Sequence, residues 1–112
     1  MDELTNDAKY FLAVTYKQYL NNIDNGSSKH DARELGDAPD FKQLFPEWEI
    51  QDISDTANEL KNIGYVKSDQ YWCPYPSNVE LTSKAIVYCK QRFKRDVKSI
   101  MKTIIDLKSL LF

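Results

Sequence analysis

The 112-residue chain has only three glycines, two cysteines and one histidine, and each scarcity removes a class of chemistry. Gly26, Gly36 and Gly64 stand alone, so no glycine-rich loop can cradle a phosphate. Cys73 and Cys89 have neither metal-like nor redox-like spacing, which makes free buried thiols the expected reading. His30 sits in a polar stretch beside Asp31 with no nucleophile pattern around it, and reads as a solvated surface residue. Metal sites need several converging ligands, whereas the carboxylates are scattered and no Asp-rich loop has the calcium spacing. Together these absences argue against an enzyme, a metal site or a cofactor. No apolar run approaches the roughly 20 residues of a membrane span, and the N-terminus is too polar for a signal peptide. A soluble cytoplasmic protein without a membrane partner is the expectation.

What is present is one domain's worth of chain, long enough to bury about two-thirds of its unfolded surface without staples. The formal net charge of −2 conceals a segregation. From Ser83 onward eight basic residues face two acidic ones, a balance of +6, while Met1 to Thr82 carries −8. Halves so charged attract one another or steer a charged partner.

Periodicity then orders the chain. Leu4, Ala8, Phe11, Leu12, Thr15, Tyr19 and Ile23 trace one stripe, predicting a first helix over about 4–23 with a stop near Asn25-Gly26. Tyr10 and Val14 lie on its far side, and Tyr16 and Leu20 widen the stripe, so the helix is expected to be covered on two sides. Ser27-Ser28 caps a second helix over about 28–35, stopped by Gly36. Phe41, Leu44 and Phe45 mark a short helix over about 39–45, and Trp48 reads as an anchor under the next helix start. Ile50, Ile53, Ala57, Leu60 and Ile63 recur at helical steps and predict a third helix over about 49–63, closed by Gly64.

Tyr65-Val66 favours extended chain, Ser68-Asp69-Gln70 a reversal, and Tyr71-Trp72-Cys73 a returning strand, giving a two-stranded hairpin over about 65–73. Pro74 and Pro76 lack the ladder donor and argue against a central strand beyond that point. Thr82 offers a hydroxyl cap to a final helix over 83–112 that no Gly or Pro interrupts, about 45 Å long. Its apolar residues Phe93, Val97, Ile100, Ile104, Leu107 and Leu111 keep a heptad-like rhythm. A helix of that length outruns a small domain, so these six residues are expected to form a homodimer seam or to lie back across the first helix.

Leu60, Ile63-Gly64-Tyr65-Val66 and Glu80-Leu81-Thr82-Ser83-Lys84-Ala85 resemble winged-helix domains, especially small bacterial ones of the PadR, MarR and YjcQ-like kind, with Ala85 where those families usually have Gly. The resemblance covers about a third of the chain. It implies a mainly α (α+β) fold: a winged helix-turn-helix core over 1–82 with a two-stranded wing, and the long helix of 83–112 as a dimerisation arm within one structural domain.

The resemblance also implies a small DNA-binding transcriptional regulator of the kind mobile elements carry. Its double-stranded DNA site would be Gln51, Ser54, Asn58, Lys61 and Asn62 on the third helix with Lys67 in the wing, since Gln and Asn can read adenine edges. Charge favours an alternative. Asp52, Asp55 and Glu59 share a face of the same helix, where they would lose Coulomb energy against phosphates. They would instead engage a basic protein partner in a non-enzymatic interaction module. The basic residues Lys84, Lys94, Arg95, Lys98 and Lys102 share a sector of the final helix and read first as its wet side. The wing aromatics Tyr65, Tyr71, Trp72 and Tyr75 read as packing residues.

Overall fold

The computed structural model describes residues 4–69, 75–93 and 96–112. The order is α1 (Asn6–Asp24), α2 (Lys29–Ala32), β1 (Glu34–Gly36), α3 (Ala38–Phe41) with a 3-10 turn over Lys42–Leu44, and α4 (Ile50–Asn62). There follow β2 (Val66–Asp69), β3 (Ser77–Leu81), α5 (Ser83–Phe93) and α6 (Val97–Leu111). The fold is mainly helical with a three-stranded antiparallel sheet in the order β1-β3-β2.

Helix α1 begins at Thr5, whose hydroxyl accepts the Ala8 N–H at 3.1 Å, and ends at Gly26 in the left-handed region. Nearly all of its girdle is covered: Tyr10, Phe11, Leu12, Ala13 and Tyr16 are each buried, the last completely. The two-sided cover read from the sequence is thus present, with α4 and α6 both packed on α1. Phe11 stacks on Phe45 (5.2 Å between centroids), Phe45 on Trp48 (5.0 Å), and Tyr10 meets Trp48 edge-on. Trp48 is therefore the anchor expected just ahead of α4, wedged between the turn and α1.

Three expectations change. The second helix stops at Ala32 rather than 35, because Glu34–Gly36 pairs with β3 and gains ladder bonds that a further helical turn would not supply. The returning strand of the hairpin is β3 at 77–81, and it is the centre of the sheet. The prolines do not prevent this, since Pro76 precedes the first ladder residue and itself accepts the Ala38 N–H through its carbonyl. Tyr71-Trp72-Cys73, expected as that strand, lie outside the described residues.

The single long helix of 83–112 is two helices. Asp96 restarts the chain by accepting the N–H groups of Lys98 and Ser99 on Oδ1, the capping geometry that opens a helix without glycine or proline. Helix α6 then lies along α1. Of the six residues expected at a homodimer seam, Phe93, Ile100, Ile104 and Leu107 are buried inside the chain's own core and Leu111 packs against it. Only Val97, 46% exposed, faces out. Five of the six residues thus pack within the chain itself, as the alternative of lying back across the first helix requires.

Candidate interaction surface on helix α4

The α3 segment and α4 are joined by the 3-10 turn and the loop over Phe45–Glu49. The N-terminus of α4 is fixed by Asp52, whose carboxylate accepts the Glu49 N–H at 3.0 Å. At its other end Gly64 adopts φ +87, and two side chains from β3–α5 satisfy the last carbonyls. The Thr82 hydroxyl donates to the Gly64 carbonyl at 2.7 Å and the Lys84 ammonium to the Ile63 carbonyl at 2.7 Å. Lys84 also lies over the Tyr65 ring at 4.8 Å, so this cation is committed to closing α4. Ile63, the last residue of the predicted stripe, is 42% exposed.

The six residues expected to contact DNA do not form one surface. Ser54 is buried, its Oγ without a hydrogen-bond partner, and cannot reach a groove. The cause is width: α1, α3 and β2 all pack on α4, and its buried strip takes in Ser54 and Thr56 beyond the apolar stripe. Gln51 is exposed but donates its amide to Asp55 Oδ1 at 2.8 Å. Asn58 is half-buried. Lys61 and Asn62 are exposed at the C-terminal turn, and Lys67 is exposed on β2. Lys61 and Lys67 come together as part of the wall of an open groove of about 890 Å³, which also includes His30, Glu34, Asn78 and Glu80.

The three carboxylates expected to meet a basic partner do share a face. Asp52 and Asp55 are exposed and Glu59 is half-buried, accepting the Thr5 hydroxyl at 2.9 Å. The structure adds Asp7 of α1, which the sequence reading did not connect to them. Partial desolvation, and then the carboxylates of Glu59 and Asp52, hold the Asp7 carboxyl above its ordinary range. Such crowding is the electrostatic mark of a negative patch spanning the α1–α4 seam. No local pattern in the sequence pointed to it, because the α1–α4 contact through Thr5 and Glu59 joins residues 54 positions apart.

The basic sector assigned to one long helix is divided by the break before Asp96. Lys84 belongs to α5, Lys98 and Lys102 are exposed on α6, and Lys94 and Arg95 lie outside the described residues. Tyr65 packs edge-on against Tyr88 at 5.5 Å and Tyr75 lies against the core, as packing residues would. Cys89 is buried, and desolvation pushes its thiol up to about 12, which disfavours the thiolate at neutral pH. Among the described residues no helix is long and apolar enough to cross a membrane. No family model matches the chain, and no curated protein or solved structure does either.

Proposed function

We propose that the chain is a non-enzymatic winged-helix interaction module whose α4 face binds a basic segment of a protein partner. The order α1, α2, β1, α3, α4, β2, β3, with one-turn α2 ahead of β1 and strands arranged β1-β3-β2, supports the winged-helix reading. Fold alone does not select a ligand, so the function rests on the site. The observation that carries it is the shared face of Asp52, Asp55 and Glu59, backed by Asp7 with its raised carboxyl. Like charges 4 Å apart repel by about 1 kcal/mol in water and about 4 kcal/mol at the effective dielectric constant of a protein surface. Several carboxylates against Lys61 make that face repel phosphates and attract ammonium and guanidinium groups.

A second reading, the DNA-binding regulator, is favoured by one observation: Lys61 and Lys67 meet at the same groove, beside exposed Asn62. Fluorescence anisotropy separates the two, using a labelled Lys/Arg-rich peptide and a labelled mixed-sequence duplex at low and physiological salt. The first reading expects peptide binding that is lost when Asp52, Asp55 and Glu59 are all changed to Lys, with no duplex binding by the wild type. Duplex binding that falls linearly in log K against log salt, and is lost in Asn58→Ala/Lys61→Ala, replaces it with the second.

A further inference from the structure

Helix α6 carries a second apolar row that the folding of the chain leaves outside. At about 100° per residue Ile100, Ile104 and Leu107 fall on the side that packs on α1, whereas Val97, Met101 and Ile105 recur every four residues on the adjoining side. The first three are at most 7% exposed, and the second three are 46%, 37% and 60% exposed. Phe112 continues the row, 56% exposed and held edge-on by Tyr10 at 6.0 Å. From Val97 to Phe112 the row is about 22 Å long. Single exposed apolar side chains are ordinary, but a row along one helix is the form a contact surface takes.

The row is complementary to itself when two copies lie antiparallel. A twofold axis at the level of Ile104 interleaves Met101 and Ile105 of one helix with Ile105 and Met101 of the other, and sets each Val97 beside the Phe112 of the second copy. Lys102 and Asp106 are exposed, one turn apart, along one edge of the row. The same axis brings each Lys102 level with Asp106 of the second copy, and the long lysine stem spans the seam. A parallel pair would carry the two charged edges to opposite sides of the seam, where they do not meet. Charge therefore selects a second copy in one orientation.

We propose that the exposed side of α6 pairs antiparallel with the same side of a second copy, forming a twofold dimer through Val97, Met101, Ile105 and Phe112. Ile100, Ile104 and Leu107 stay within each chain, so the dimer assembles from folded monomers. One helix face per copy falls at the small end of specific interfaces, which sets a dissociation constant of up to about 0.1 mM. The seam does not use the acidic face of α4 and stands or falls separately from the proposed function.

The test is sedimentation velocity of the full chain with a reductant present, from about 10 µM to about 0.5 mM, a range that spans such a constant. The mass is expected to rise from monomer toward dimer. Ile105→Glu, outside the core, should keep the circular dichroism of the wild type and remain monomeric throughout. Lys102→Glu and Asp106→Lys should each weaken the dimer about threefold or more, and the double variant should recover it. A chain that stays monomeric, a dimer that Ile105→Glu leaves intact, or a double variant no better than the singles overturns the proposal. So does a monomer that co-sediments with anionic vesicles, which would give the row to a membrane surface.

Discussion

Lys108, in the last turn of α6, donates to Glu47 at 3.1 Å, joining the C-terminal helix to the turn that leads into α4. Hydrogen bonding from Lys108 holds the Glu47 carboxyl below its ordinary value, and Glu47 correspondingly raises Lys108. A depressed carboxyl stabilises the fold above its unfolded pKa and loses that contribution as pH falls through the folded value. Both side chains are more than a third exposed, so the pair contributes only about 0.2–1 kcal/mol. Glu47→Gln should lower the urea midpoint slightly at pH 7, with the difference from wild type closing in acid below the carboxylate range. A gap that persisted at pH 2 would show that Glu47 acts through something other than its charge.

Ile104 is the position at which self-packing and dimer packing part company. It is 7% exposed on the side of α6 that lies along α1, where it fills the chain's own core. Ile104→Ala should therefore cost about 2–5 kcal/mol of unfolding free energy, as large-to-small core changes do. The loss is expected to be the same at low and high protein concentration. A loss that shrinks as protein concentration rises would place Ile104 between subunits instead.

Ser54 gives a third expectation, in the opposite direction. Its hydroxyl is buried without a partner, a situation that costs about 1–3 kcal/mol relative to a satisfied or absent polar group. Ser54→Ala is then neutral to stabilising in thermal unfolding, and leaves any binding by α4 unchanged. Measurable destabilisation would mean that the hydroxyl has a partner in solution.

Local patterns in the sequence were enough for the helices that pack by one periodic stripe. The Phe11–Thr15 turn, the Ile53–Ala57–Leu60 ridge and the Gly64 stop all depend on neighbours within a few positions. Strand β1 could not be read that way: three residues show no alternation, and Glu34–Gly36 becomes a strand because β3 lies beside it, some forty residues further on. The break before α6 escaped because Asp96 is an ordinary acidic residue until its cap bonds are seen. For the site, spacing placed Asp52, Asp55 and Glu59 together but put Ser54 with Gln51, Asn58 and Asn62 as a DNA-reading sector, since helical periodicity gives the direction of a face and not how far neighbouring elements cover it.

Asp7 carries the last prediction, because it joins stability to the acidic face. A carboxyl whose folded value lies above its unfolded one leaves the native state holding more protons, so it opposes folding above the folded pKa. That penalty fades as pH falls through the raised value toward the unfolded one. Asp7→Asn, which keeps the shape of the side chain and removes its charge, should raise the melting temperature at pH 7, and the advantage should shrink on acidification. A basic peptide seated on Asp52, Asp55 and Glu59 would relieve the same repulsion, so wild type should gain more melting temperature than Asp7→Asn when the peptide is added. Equal gains would mean that Asp7 is electrostatically separate from the face, and that the patch ends at α4.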